Sequence, residues 1–333
     1  AENENIAFDW VYINYKSPIG TFDAGIMNDG STGTIFGNSY APAARIKYGY
    51  SFDPFTLALA YTKAKEQNYS VQNPTANFSD GDNDKYGIEG AYKWKDGKAG
   101  MQVNYYNYAD KRPSSDYKKQ YLLFTPYAMT KLGPVALQAE LNYATGKAKK
   151  YDNDTPDVDL QNISAFVDAA ADFAPFYVGA SLAYISGDDP GTSDKEEGGT
   201  LNGGRDWNPC LLLFNYYDAA NWVGTVSGYD SSKVTGPMSN ALFGQIRAGV
   251  KPMPELDVMM SVSYAKADEK PAGYVDDQYG MEVDLTGTYK ITNNLSYMLG
   301  VGYLFTGDYY KGTSESNEVK NDYIVMNKIT LAF

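Results

Sequence analysis

"VALQAELNY", residues 135–143, alternates apolar and polar side chains along its whole length. Leu137 and Leu141 fall on one face of an extended chain, whereas Gln138 and Glu140 fall on the other face. A period of two residues indicates a β-strand that lies between an apolar medium and water. The question for the rest of the chain is how often this pattern recurs and what separates its repeats.

The same alternation recurs along most of the sequence, for example in "ARIKYGY" at residues 44–50 and in "YGMEVDLTGTYK" at residues 279–290. We predict about fifteen strands, many of roughly 9 to 12 residues, which is the length that a tilted strand needs to span a bilayer. The expected strands start near Ala7, Gly20, Ala43, Phe55, Lys85, Ala99, Gln120, Pro134, Leu160, Pro175, Asn240, Glu255, Gln278, Asn294 and Asp322.

The connections between these strands are of two kinds. Short turns such as Asp53-Pro54 and Ala174-Pro175 alternate with long polar segments such as "EQNYSVQNPTANFSDGDNDK" at residues 66–85. Outer-membrane barrels show this alternation because their periplasmic turns are short and their extracellular loops are long. We therefore expect an all-β fold, a transmembrane antiparallel up-and-down β-barrel, as a single domain over residues 1–333. The alternative is a soluble β-protein whose aromatic residues fill an ordinary core.

Composition excludes several classes of function. A formal net charge of -13 repels phosphate backbones, so no nucleic-acid partner is expected. The chain has no His and a single Cys, Cys210, which removes Ser-His-Asp and Cys-His catalysis, the usual zinc sites and an internal disulfide. We predict neither an enzyme nor a bound cofactor or metal, and we interpret Cys210 as a packed thiol.

Two stretches resemble known membrane proteins. The chain ends in "YIVMNKITLAF", residues 323–333, and this run of alternating apolar residues closing on Phe333 resembles the terminal signature of Gram-negative outer-membrane proteins. "GTFDAGIMNDGSTGTIFGN", residues 20–38, is similar to the strand that precedes the pore loop in general diffusion porins, although it lacks that family's Pro-Glu-Phe-Gly-type loop segment. The resemblance implies a homotrimer in the bacterial outer membrane, in contact with lipid and lipopolysaccharide.

The strand count and the long connections lead to three further predictions. Bacterial single-chain barrels have even strand numbers, so the odd count implies one or three strands before this sequence and about 16 or 18 strands in the complete barrel. Residues 28–42 are the candidate inward-folded pore loop, and residues 188–238 are predicted as a long extracellular loop region. Within that region, "CLLLFNYYDAANWVGTV" at residues 210–226 fits either a pair of strands or a helix.

The polar strand faces are expected to line a water-filled lumen. In the second strand, Phe22, Ala24 and Ile26 should meet lipid or a neighbouring subunit, and Thr21, Asp23 and Gly25 should meet water. Asp29 is expected to face Arg45 and Lys47 from the next strand. The candidate pore-lining and constriction residues are Asp23, Asp29, Arg45, Lys47, Glu89, Lys93, Glu140, Arg247, Lys251, Glu282 and Asp284.

Passage of solutes is the function that remains. The first hypothesis is a porin for the passive diffusion of ions and small hydrophilic solutes, with a weak preference for cations because the chain is acidic. The alternatives are a substrate-specific channel with an affinity site, and a barrel that forms a sheath around an electron-transfer partner. The 31 Tyr do not favour the sheath, because aromatic girdles at the two membrane interfaces account for most of them.

Overall fold

The computed structural model describes residues 9–30, 32–39, 41–66, 81–199, 207–216, 218 and 233–332. This part of the chain contains sixteen strands. Their bounds are β1 Val11–Ser17, β2 Gly20–Asn28, β3 Pro42–Phe52, β4 Phe55–Lys65, β5 Asn83–Trp94, β6 Gly97–Tyr108, β7 Tyr117–Leu132, β8 Val135–Tyr151, β9 Val158–Phe173, β10 Phe176–Ile185, β11 Lys195–Glu196, β12 Ala241–Met253, β13 Leu256–Lys266, β14 Gln278–Lys290, β15 Leu295–Thr306 and β16 Asp322–Leu331.

Fifteen of these strands form one antiparallel meander, in which each strand pairs with the next along the chain from β1 to β16. The short β11 is set apart because it pairs in parallel with β9, and β12 follows β10 in the sheet. The predicted fold class, an all-β up-and-down barrel, is therefore confirmed.

The predicted start of the first strand, Ala7, lies outside the described residues, and the other predicted starts fall within three positions of the observed ones. Strands upstream of β1 would precede this sequence and stay a prediction.

Alternation in the sequence becomes two different surfaces of the sheet. In β2, Phe22, Ala24 and Ile26 are exposed on the outer surface, and the residues between them are less exposed. Asn14 of β1 donates a side-chain hydrogen bond to Asp23, which places both of them on the inner surface. The outer surface is thus predominantly apolar over its membrane-spanning part, as a barrel in contact with lipid requires.

The two ends of the sheet differ in the way that the loop lengths predict. Tight turns join β3 to β4, β7 to β8 and β9 to β10 at one end. At this end, outward aromatic rings form a continuous row, with centroid separations of 5.0 to 6.0 Å, made of Tyr50, Phe52, Phe55, Tyr92 and Trp94. Such a row is the interfacial girdle of a membrane barrel.

The strands β7, β8 and β9 are 16 or 17 residues long, longer than the sequence predicted. Their extra length lies at the end opposite the tight turns. There, the inner side chains of Ala144, Ala148 and Leu160 pack together, and Lys147 pairs with Asp159. The wall of the barrel therefore extends past the membrane on this side, toward the long loops.

Helical structure is minor in the described residues. It comprises a single α-helical turn, α1, at Arg112–Ser115, a 3₁₀ turn at Asp308–Lys311 and π-helical geometry at residues 216 and 218. No described helix has the length and the apolar character that a membrane crossing by a helix requires.

Replacement of an outward residue by arginine tests this orientation. Ile246 is 65% exposed at the middle of β12, and Leu242 is 48% exposed on the same face near the end of the strand. We expect Ile246→Arg to lower the free energy of unfolding by about 2–4 kcal/mol, and Leu242→Arg by about 0–1 kcal/mol, because the cost of a charge falls toward the interface. Urea titration of the protein in lipid vesicles, followed by Trp fluorescence, measures both values. Equal costs would contradict the assigned depth.

Candidate functional site: a narrowed lumen

The segment between β2 and β3 turns into the barrel and reaches its opposite wall. The backbone N–H and the hydroxyl of Thr34 both donate to Oε2 of Glu140 on β8, at 2.7 and 2.8 Å. The ring of Phe36 stacks on Phe166 of β9, with 5.0 Å between centroids and 1° between planes. Because β8 lies six positions from β2 in the sheet order, residues 32–39 cross the lumen. We refer to them as the crossing loop.

Two glycines allow this close approach. A Cβ atom on Gly33 would lie 2.5 Å from Oε2 of Glu140, and a Cβ atom on Gly37 would overlap Oε1 of the same carboxylate. Gly33 also has a φ of +141°, a conformation that other residues rarely adopt. A side chain at either position would push the crossing loop away from β8.

A buried cluster of charges lies at the end of β2, just before the crossing loop. Asp29 accepts from Lys85 Nζ at 2.6 Å and from the Thr62 hydroxyl at 2.7 Å, and its carboxylate lies 3.5 Å from Nε of Arg45. Arg45 also donates to the backbone oxygen of Asn28 at 2.7 Å. Since Asp29 and Lys85 are both buried, removal of one partner would leave an uncompensated charge in the wall.

A second segment lies against the wall formed by β14. The backbone N–H groups of Leu212 and Leu213 each donate to Glu282 at 2.7 Å, and that of Leu211 donates to Asp284 at 3.3 Å. Glu282 and Asp284 are buried, and neither forms an ion pair with a described residue. Three consecutive amides therefore solvate two neighbouring carboxylates inside the barrel. We refer to residues 207–216 as the inner segment.

The inner segment fills part of the lumen with apolar side chains. Trp207, Leu212, Leu213 and Phe214 are buried among inward residues of β9, β10, β12, β13, β14 and β15, and the Trp207 ring also meets Phe36 of the crossing loop at 5.4 Å. Residues 188–238 are predicted as a long extracellular loop region, which stays a prediction, and the described part at 207–216 packs against inward apolar residues of the wall. Residues 210–215 form turns and bends and not a strand or helix, and residues 217 and 219–232 lie outside the described residues.

Cys210 is a buried, unpaired thiol, as the sequence suggested. Burial raises its pKa well above the usual range, and the adjacent Glu282 and Asp284 raise it further. One donor atom from each of these three residues lies within 4.8 Å of the others, a spacing that could hold a metal ion. Both carboxylates accept hydrogen bonds from backbone amides, and Oδ1 of Asp284 is buried without a hydrogen-bond partner among the described residues.

The other predicted pore residues occupy several regions. Arg247 forms an ion pair with Asp168 at 2.8 Å on the inner wall. Glu89 accepts a hydrogen bond from Tyr127 at 3.3 Å. The remaining four lie elsewhere: Asp23 and Lys47 are opposite each other on β2 and β3, and Lys93 and Lys251 are exposed beside the tight turns.

Sequence reasoning missed two charged residues of this wall, Lys85 and Asp168. Each is buried and pairs with a predicted residue, Asp29 in one case and Arg247 in the other. Lys85 lies four residues before Glu89 on β5, and residues an even number of positions apart share one face of a strand. The alternation around Glu89 would therefore have placed Lys85 on the inner face.

Comparison with known proteins bears on the fold. No family model matches the chain, and no curated protein matches its sequence. The outer membrane protein OpdK of Pseudomonas aeruginosa matches with a TM-score of 0.50 and 12% identity, over 96% of this chain and 78% of that one, and OpdK was also solved with vanillate. OprD of the same organism matches with a TM-score of 0.46 and 14% identity, over 93% of this chain and 74% of that one. OccK2 (OpdF) in complex with glucuronate matches with a TM-score of 0.49 and 14% identity, over 97% and 79%.

The OpdK likeness bears on the fold of the chain. The chain has the β-barrel fold of outer-membrane porins, with apolar side chains on its outer surface.

Loss of the Glu140 carboxylate should release the crossing loop. Glu140→Ala leaves the buried amide of Thr34 without its acceptor, which costs about 1–3 kcal/mol, and a cost of about 1.4 kcal/mol raises the displaced fraction of the loop roughly tenfold. We expect larger and noisier single-channel currents than those of the wild type. Glu89→Ala is the matched control, because Glu89 lies on the same inner wall but contacts Tyr127. Equal effects of the two substitutions would contradict the anchoring role of Glu140.

Labelling of the single Cys tests the position of the inner segment. Because burial raises the pKa of Cys210, little thiolate is present at pH 8, and the folded protein should react with Ellman's reagent much more slowly than the unfolded chain. Glu282→Ala removes the acceptor for two amides of the inner segment and should speed labelling, whereas Glu89→Ala should not. Fast labelling of the folded wild type would show that the inner segment does not lie against β14.

Proposed function

We propose that this protein is a solute-selective channel of the outer membrane. The observation that carries the proposal is that two chain segments occupy the lumen, the crossing loop bound to β8 and β9 and the inner segment bound to β14. A barrel of 16 or more strands has room for an aqueous channel. When two segments narrow that channel, a passing solute must touch the side chains that remain, and contact is the basis of selectivity.

The charges of the wall favour cations and neutral solutes. In the described part of the chain, Arg45 and Lys85 share the carboxylate of Asp29, and Arg247 pairs with Asp168. By contrast, the buried carboxylates of Glu140, Glu282 and Asp284 accept hydrogen bonds from uncharged donors and pair with no described cation. Together with the formal net charge of -13, this surplus of acidic groups favours cations over anions.

Two considerations favour a selective channel over the other hypotheses. OpdK, whose fold the chain shares, was solved with vanillate, so a barrel of this fold can hold a small solute. In addition, the two inward segments occupy space that an electron-transfer partner would need in a sheath. Transport of this kind involves no chemical step, and we propose no enzymatic activity. The homotrimer implied by resemblance stays a prediction.

Ion selectivity provides the test. We expect the purified protein to form conducting steps in a planar bilayer, with a reversal potential of cationic sign under a KCl gradient. Asp29→Asn leaves Lys85 and Arg45 without their carboxylate, so the reversal potential should shift toward anions. The double variant Asp29→Asn, Lys85→Met removes one of the released cations and should shift the potential back. A silent bilayer after verified insertion, or anion selectivity of the wild type, would contradict the proposed function.

A further inference from the structure

A cavity of about 540 Å³ opens between the inner wall of β6 to β9 and the crossing loop. It lies in the half of the barrel nearest the long loops, on the side from which an external solute would arrive. Its lining includes Tyr106, Tyr108, Tyr121, Asn142, Ser164 and Gly37. The volume falls within the range of about 300–1,000 Å³ that is usual for small-molecule sites.

Aromatic rings form one wall of this cavity. Tyr106 and Tyr121 face inward from β6 and β7 and stack on each other, with 4.4 Å between centroids and 6° between planes. Tyr121 also packs against the apolar cluster of Ala144, Ala148 and Leu160. Interfacial girdles are expected to contain most of the Tyr residues, whereas these two rings lie on the inner surface. Exposure of this apolar wall to water is unfavourable. The wall therefore favours contact with the apolar face of a ligand's ring.

Polar groups are available around the rings. The phenol groups of Tyr106, Tyr108 and Tyr121 and the hydroxyl of Ser164 have no hydrogen-bond partner among the described residues. Each hydroxyl can both donate and accept. A ligand that carries several hydroxyl groups could therefore form several hydrogen bonds while its ring covers the aromatic wall.

The cations near the cavity are already paired. Glu196 lies 3.8 Å from Lys119 and 3.3 Å from Lys149, and Lys85, which lies over the Tyr106 ring, is bound to Asp29. A carboxylate ligand would have to compete with these protein carboxylates, whereas an uncharged ligand would not. The charge pattern thus distinguishes this cavity from a site for an organic anion.

We infer that the cavity binds an uncharged, hydroxylated ring of saccharide size. Its apolar ring face would lie against the apolar surface that Tyr121 forms with Ala144 and Leu160, and its hydroxyl groups would point toward Tyr108 and Ser164. The inference deepens the proposed function, on which it rests, by naming the class of solute that the channel selects. Sugars suit this wall because the C–H groups on one face of a pyranose ring carry slight positive charge and meet the negative face of an aromatic ring.

Titration with maltose tests the inference by two independent measurements. Isothermal calorimetry of the detergent-solubilised full-length protein reports binding, and single-channel recording reports block of the current. We expect saturable binding and block by maltose, and no comparable effect of benzoate. Tyr121→Ala should raise the dissociation constant for maltose about tenfold, whereas Tyr121→Phe, which keeps the ring, should raise it by less.

Tyr127→Ala is the matched control. Tyr127 is an inward residue of the same strand, six positions from Tyr121, and it does not line the cavity. Its substitution should leave maltose binding unchanged. No maltose binding by calorimetry, tighter binding of benzoate, or equal loss in the Tyr121→Ala and Tyr127→Ala variants would each overturn the inference. Failure of the proposed function looks different, because the wild type would then conduct no current even if maltose bound.

Discussion

Every backbone polar group within a membrane must find a partner in the protein, and this constraint organises the whole structure. The strands meet it by pairing with their neighbours in one continuous meander, with apolar side chains outward. Polar side chains then point inward, and those that are buried also need a hydrogen-bond partner. Glu140 and Glu282 satisfy it with backbone amides of Thr34, Leu212 and Leu213. The carboxylates of the wall thus hold the segments that narrow the lumen.

The strands could be predicted from the sequence because alternation is a local property. A period of two residues assigns each side chain to a face without knowledge of the rest of the chain. It therefore placed Ile246 outside and Glu282 inside, and the turn residues Asp53-Pro54 and Ala174-Pro175 set the ends of their strands. Parity also assigned Asp23 to the inner face, but it left the faces of the first strand open because Asp9 and Asn14 have opposite parity. The hydrogen bond from Asn14 to Asp23 assigns Asn14 to the inner face.

Contacts inside the lumen could not be predicted in the same way. Parity identifies the face of Glu140 but not its partner Thr34, which lies 106 residues away in the chain. The inner segment was ambiguous because its apolar residues lack either period. They are buried against inward apolar residues, such as Phe243 and Leu304, that break the simple rule of a polar inner face. The inward position of Tyr121 was not recognised for a related reason, since composition does not distinguish a girdle ring from a ring on the inner wall.

These contacts divide the lumen into two parts of different character. The side near β9 to β15 is filled by apolar packing with the inner segment, whereas the side near β3 to β8 keeps charged and hydroxyl groups. A solute that enters from the long loops meets the aromatic wall before it reaches the crossing loop. Selection and restriction of passage would therefore occur at successive points along the same side of the barrel.

The position of the crossing loop is the central claim. The most direct measurement replaces Phe36 with a phenylalanine analogue that carries a photoreactive diazirine, in protein inserted into lipid vesicles. Illumination followed by mass spectrometry of the digested protein identifies what the ring contacts. The account predicts crosslinks to β9 and to Trp207, because Phe36 stacks on Phe166 and meets the ring of Trp207. Crosslinks to lipid, or to the loop at residues 152–157 alone, would show that the loop does not cross the lumen.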